Sequence, residues 1–230
     1  MRTAPRLRFG RGVRIASLFV GLVSIAIGIV CMLRSELGLP PWDVLHQGLA
    51  RHSPLQIGTA GIVVGLVLIV VTWALGQPPG FATVANAIVI GAVLDLLLSV
   101  DAIGDLDVDA LPVRIGLVVA GVALFGIGTA LYIGAGFGAG PRDSVMLVGS
   151  RRLGVRIAIV RFSMEVIVVT IGFALGGTVG IATLAFAILI GPAVESSFWL
   201  LTRLGLAGRT PAHGPAPAPT AAAPVAPELA

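Results

Sequence analysis

The sequence predicts an all-α protein: a polytopic membrane helix bundle of six transmembrane helices, built as two inverted three-helix repeats. Each repeat has a short amphipathic or re-entrant helix after its first span. Three observations lead there. Of 230 residues, 57% are hydrophobic and 11% charged, whereas a soluble domain carries about 25% charged residues, so these charges could not cover a water-facing surface. Six apolar runs, each about the twenty residues needed to cross a bilayer, alternate with short polar or Gly/Pro-rich intervals. Shifting the chain against itself by one hundred positions aligns residues 13–95 with 113–195 without a gap, with about 22 identities. Such self-similarity fixes the architecture before any single residue is interpreted.

The identities run along the whole half. They include Val13-Arg14-Ile15 with Val113-Arg114-Ile115, Gly21 and Gly28 with Gly121 and Gly128, and Gly80-Phe81-Ala82-Thr83 with Gly180-Ile181-Ala182-Thr183. Gly38-Leu39-Pro40-Pro41-Trp42-Asp43 is answered by Gly138-Ala139-Gly140-Pro141-Arg142-Asp143, and Asp95 by the acid Glu195. All 15 basic residues are Arg. The high isoelectric point therefore comes from a few arginines flanking the spans, not from a basic nucleic-acid face, and no nucleic-acid partner is expected. Cys31 is the only cysteine, which excludes an intramolecular disulfide and a thiolate metal cluster.

Residues 1–14 form a basic N-terminus with Arg2, Arg6, Arg8, Arg11 and Arg14. The following apolar run, Ile15 to Leu33, is too long for a signal-peptide core and has no small-residue cleavage site after it, so it reads as an uncleaved first span. The first repeat occupies residues 15–100. Within it, Pro41 to His52 reads as an amphipathic helix with Val44, Leu45, Gly48 and Leu49 on one side and Asp43, His46, Gln47 and Arg51 on the other. Span two runs from about Gln56 to Leu75. The turn Gly76-Gln77-Pro78-Pro79-Gly80 reverses the chain, and span three runs from Phe81 to about Val100.

Residues 101–112 form a loop with Asp101, Asp105, Asp107 and Asp109 and no base. The second repeat, residues 113–201, has the same plan: span four from Val113 to Ile133, a short amphipathic segment from Pro141 to Leu153, span five from Val155 to Leu175, a Gly176-Gly177 turn, and span six from Val179 to about Leu201. Residues 208–230 are mostly Ala and Pro and are expected to be disordered, because they cannot bury enough apolar area to offset the entropy of ordering.

With the N-terminus cytoplasmic, eleven arginines fall on inner segments (Arg2, Arg6, Arg8, Arg11, Arg14, Arg142, Arg151, Arg152, Arg156, Arg203 and Arg209), and only Arg34, Arg51 and Arg114 lie outside. The positive-inside rule therefore puts both termini in the cytoplasm and the acidic loop outside. Three spans per repeat is an odd number, so the halves must cross the membrane in opposite senses, as in many secondary transporters whose substrate site lies between the repeats.

Six polar residues in or near the spans are candidates for a substrate or ion pathway: Asp43, Asp143, Arg142, Arg161, Glu165 and Asn86. Asp43 and Asp143 follow Pro41 and Pro141, where proline at the first helical position and an acid two residues on suit a helix start. They read either as plain capping residues or as groups that bind a cation or proton, or close a gate through an arginine. Arg142 stands where the first copy has Trp42. Arg161 and Glu165 lie one turn apart inside span five, where charge is expensive, opposite Gly61 and Gly65 of span two. They read either as a local ion pair or as a pair facing the glycine-lined side of span two, along a substrate or proton path. Asp95 and Glu195, near the ends of their spans, read as solvated at the membrane interface. The in-span glycines read as sites of close helix contact.

No metal site, cofactor or catalytic residue is expected. His46 and His52 are six apart and do not share a helix face, His213 lies in the tail, and no nucleotide loop or nucleophile motif is present. The chain reads as a non-enzyme.

The Gly-x-Pro-Pro-Trp-Asp-Val-Leu stretch, the spaced Gly-rich spans, the run from Gly80 through Thr83 to Asn86 and the Asp95 closing span three resemble the YczE/YyaS/YitT family of bacterial integral membrane proteins over about residues 13–200. The resemblance implies a polytopic protein of the bacterial inner (plasma) membrane, in a group mostly uncharacterised and often associated with transport. The functional expectation is a permease for a small molecule or ion working by alternating access. The alternatives are a non-transporting membrane scaffold or regulator, or the substrate-binding subunit of a larger transporter. The expected partners are the lipid bilayer, the transported small molecule or ion, and a second copy of the chain in a homodimer.

Overall fold

The computed structural model describes residues 5–104 and 108–208. Among them, six helices are long and apolar enough to cross a membrane: α1 (Arg11–Ser35), α3 (Ile57–Ala74), α4 (Phe81–Leu98), α6 (Leu111–Ala135), α8 (Ile157–Ala174) and α9 (Ile181–Arg203). Two shorter helices, α2 (Pro41–Arg51) and α7 (Pro141–Leu153), follow α1 and α6, and a single-turn α5 (Asp101–Gly104) lies in the acidic loop. The protein is an all-α membrane protein whose outer faces carry exposed apolar side chains such as Val70, Leu96, Val119, Phe162 and Ile181, a surface suited to lipid contact.

The two 25-residue helices, α1 and α6, form the axis of the bundle. They are antiparallel and almost without side chains where they cross. A Cβ added at Gly21 would lie 2.6 Å from the Gly128 carbonyl oxygen, and one at Gly28 would lie 2.8 Å from that of Gly121. Small residues that let backbones approach are the usual cement of membrane helices. The contact is reciprocal: positions 21 and 28 of one half meet positions 128 and 121 of the other.

The same exchange occurs at the helix ends. Arg14 donates from Nε and Nη2 to the Ala135 carbonyl at 2.8 and 2.5 Å, while Arg114 donates from Nε to the Ser35 carbonyl at 2.6 Å. Each arginine of the repeated Val-Arg-Ile triplet thus closes the C-terminus of the other long helix, where orphan carbonyls and the helix dipole favour a cation.

The loops before the short helices are pinned in the same crossed manner. The Ala82 amide donates to the Phe137 carbonyl at 3.1 Å and the Ala182 amide to that of Leu37 at 2.9 Å. Thr83 and Thr183 accept from the Gly80 and Gly180 amides at 3.1 and 3.2 Å, which explains the repeated Gly-x-Ala-Thr. Gly38 and Gly138 have φ of 120° and 124°, values that side-chain-bearing residues avoid, as the chain turns into each short helix.

In three places the structure departs from the sequence reading. First, α2 is not one-sided: Asp43, His46 and Gln47, assigned above to a polar face, are buried with relative exposures of 1, 4 and 9%. The periodicity located a polar stripe but not its environment, which is protein. Gly61 of α3 abuts the His46 ring, Gly172 of α8 abuts Leu45, and Gln47 Oε1 accepts from the Thr178 amide at 2.6 Å. Second, the basic N-terminus contains a short strand, β1 (Arg6–Leu7), paired antiparallel with β2 (Ala207–Gly208). It joins the ends of α6 and α9, and two residues are too few for strand periodicity to register. Gly208 is therefore ordered in β2, whereas Arg2, Asp105, Asp107 and the Ala/Pro tail from Arg209 to Ala230, with His213, lie outside the described residues. Third, Asp95 is held by protein groups and not by solvent alone. Its carboxylate accepts from the Gly58 and Thr59 amides at 2.6 and 2.7 Å and from Thr59 Oγ1 at 2.6 Å, which caps α3 from the neighbouring helix.

Candidate functional site

A cavity of about 660 Å³ opens among α1, α4, α6, α7, α8, α9 and the start of α2. Asn86, Arg142, Asp143, Arg161 and Glu165 line it, together with aromatic rings from Trp42, Phe125, Tyr132 and Phe186. Asp43, the sixth candidate, borders a separate cavity of about 40 Å³ with His46, Gly61 and Gly65. Asn86 and Arg142 border both cavities. Arg161 and Glu165 are therefore on the large cavity, whereas the glycines opposite them in the repeat are on the small one.

The two copies of the motif meet at the site. The Arg142 guanidinium lies 4.9 Å from the centroid of the Trp42 ring, within cation–π range. Position 42 of one repeat thus carries the ring and its counterpart in the other repeat the charge. Pro41 and Pro141 hold these side chains at the first turns of α2 and α7, and neither helix has a side-chain cap on its N-terminal amides. The carboxylates are engaged elsewhere. Asp143 Oδ2 accepts from Tyr132 Oη at 2.8 Å, and Asp43 Oδ1 lies 3.1 Å from His46 Nδ1. Both acids still sit in a first turn, where the helix dipole favours them. Arg161 Nε donates to Glu165 Oε1 at 2.9 Å, in a local ion pair on the cavity wall.

Asp43 Oδ2 and His46 Nε2 are buried and have no hydrogen-bond partner among the described residues. Gly61 makes room for the imidazole, since a Cβ there would come within 3.1 Å of His46 Nδ1. Among the described residues no three His, Cys, Asp or Glu side chains gather as metal ligands.

Three contributors escaped the sequence reading: Trp42, His46 and Tyr132. Tyr132 is the only tyrosine in the chain, but it lies eleven residues from the acid it serves, across a loop. His46 follows Asp43 by three, a spacing that puts both on one helix face; that was the available signal. The site thus combines a roomy, aromatic-lined cavity with fixed charges of both signs. Such an enclosure can bind a small molecule through stacking and a few ionic contacts.

Residues 12–197 match a family of unknown function, DUF6198. An uncharacterized protein of Haemophilus influenzae is 35% identical over 190 residues, covering 83% of this chain and 85% of that protein. The uncharacterized membrane protein YczE of Bacillus subtilis is 31% identical over 178 residues, covering 75% of this chain and 80% of YczE. The uncharacterized protein YyaS of the same organism is 27% identical over 195 residues, covering 81% and 96%. The resemblance read from the motifs is borne out for YczE and YyaS. No solved structure matches the chain.

Proposed function

The chain belongs to the DUF6198 family, a family of unknown function, and from that premise we propose that it is an inner-membrane permease. It moves a small molecule or ion by alternating access between two inverted repeats and alters no covalent bond. One observation carries this reading: helix pairs at equivalent places in the two repeats differ in their packing. α3 and α4 touch through backbone, with a Cβ at Gly58 or Gly91 colliding with the other residue's carbonyl oxygen. At the counterparts, Ala158 and Gly191, the helices stand apart; a Cβ at Gly191 would meet nothing within 4 Å, and Glu195 is exposed. The large cavity lies in that gap, with Arg161 and Glu165 of α8 on one side and Gly191 and Glu195 of α9 on the other.

The reciprocal contacts between α1 and α6 are those a two-fold axis in the membrane plane produces. The arginine distribution favours an orientation with cytoplasmic termini. The α3–α4 contact is then the closed outer gate, and the α8–α9 gap is the open inner one. In the alternate state Glu195 accepts from the Ala158 and Ile159 amides, as Asp95 does from Gly58 and Thr59, while α3 and α4 separate. α9 carries Pro192 where α4 has Ala92. Proline removes an intrahelical hydrogen bond and weakens the helix beside Gly191, where it must bend.

The test begins with a thermal-shift screen of purified protein against small metabolites, repeated with Asp43→Asn and Asp143→Asn. A stabilising compound is then offered to sealed proteoliposomes. Uptake is expected, and a disulfide between cysteines at positions 158 and 191, in a Cys31→Ser background, should block it until reductant is added. A compound that binds but never crosses the vesicle membrane overturns the permease and supports a scaffold.

A further inference from the structure

We propose that Asp43 and His46 form a proton-binding site that couples transport to the proton gradient; this rests on the permease reading above. Three geometric facts carry it. The pair is buried, with relative exposures of 1 and 4%, and linked at 3.1 Å through Oδ1 and Nδ1. The remaining atoms of the pair, Asp43 Oδ2 and His46 Nε2, have no hydrogen-bond partner among the described residues, a situation that proteins otherwise avoid for buried polar groups. A cavity of about 40 Å³ lies against both residues, roomy enough for the water through which a proton arrives.

The charges facing the pair point to a proton over a metal cation. From α7 comes Arg142, within electrostatic reach of Asp43, His46 and Asp143. From α4 comes the uncharged Asn86, while Asp95 of the same helix is turned to the α3 amides. Among the described residues, α3 presents glycine and aliphatic side chains to the cavity, and α8 meets α2 at Gly172. A metal cation would be bound beside a fixed guanidinium with a single carboxylate for a partner. A proton needs only the imidazole or the carboxylate.

In the loaded state one proton is added to the pair, as imidazolium facing carboxylate. Its release leaves neutral imidazole and the Asp43 carboxylate. The consequence reaches the large cavity through Arg142, which borders both spaces. With the pair unloaded, Asp43 and Asp143 both attract Arg142. With it loaded, the imidazolium offsets Asp43 and repels the guanidinium, so Arg142 is drawn toward Asp143 and the substrate cavity. A proton on one side of Arg142 thereby changes the charge presented on the other.

Two measurements on the full-length chain decide the matter. In protein with isotope-labelled histidine, the signal lost in His46→Gln identifies His46. It is expected to titrate below the ordinary imidazole range, because burial disfavours its charged form, and to shift its midpoint in Asp43→Asn. A His46 signal that keeps one protonation state throughout the titration overturns the site whether or not the protein transports. In proteoliposomes loaded with the compound found by thermal shift, an imposed pH gradient should drive accumulation that a protonophore abolishes. His46→Gln, checked for a melting temperature like wild type, should lose the accumulation that the gradient drives. Wild-type transport that ignores the pH gradient overturns the coupling and leaves the permease standing. Wild-type protein that neither exchanges nor accumulates overturns both.

Discussion

Two helix pairs, α3–α4 and α8–α9, occupy matching places one hundred residues apart in the sequence yet pack differently. The first is sealed: Gly58 meets Gly91, a Cβ at Gly65 would lie 3.0 Å from the Ala87 Cβ, and Asp95 caps the start of α3. The second has Ala158, Gly191, Glu165, Ala187 and Glu195 at those positions, and its helices enclose the cavity instead of each other. Glycine at 61 and 65 became Arg161 and Glu165, so the face that seals one repeat is charged in the other. Matching segments of one chain can thus carry one packed face and one that lines a cavity, with charged side chains replacing glycines at two positions.

The comparison is broken most sharply at position 165. Glu165→Gln should abolish uptake while insertion and folded yield stay at wild-type levels; full uptake in that variant removes Glu165 from the pathway. Next in size is a paired substitution. Gly58→Leu forces a side chain into the Gly91 backbone, and overpacking of this kind costs about 1–3 kcal/mol; the melting temperature in detergent should fall. Gly191→Leu points into open space and should melt like wild type while blocking closure of the inner gate, and thus transport. Equal melting of the two variants would show that the pairs are not in different states. Smallest is the contrast between the acids. Asp95→Asn weakens a charged cap, at a cost of about 0.5–2 kcal/mol, whereas the exposed Glu195 should tolerate Gln without loss of stability. The sign is checked by comparing unfolding of the two variants side by side.

Much of this architecture is visible in the sequence. The short helix has the expected bounds, Pro141–Leu153, and all six apolar runs became helices within a few residues of their expected ends. Long runs report reliably because crossing a bilayer demands both length and apolar character. The candidate site was partly legible, since charge inside a span draws attention by its cost: five of the six polar candidates line one cavity. His46 and Tyr132 were not seen as members, because their meaning depends on neighbours. An imidazole on a polar helix face looks solvated until α3 covers it with Gly61. Asp95 looked solvated until Gly58 and Thr59 were placed against it.

The sequence by itself determined the number of spans, the doubled plan and the residues whose charge had to be accommodated, because hydropathy and internal repetition are properties of the chain. Tertiary structure alone decided that Arg14 and Arg114 cap each other's helices, that the polar side of α2 turns inward, and that one pair of equivalent helices is closed while the other is open. The physical reason is that a backbone carbonyl, a buried imidazole and a gap between helices are defined by what lies opposite them. Nothing along the chain specifies the opposite side until the helices have packed.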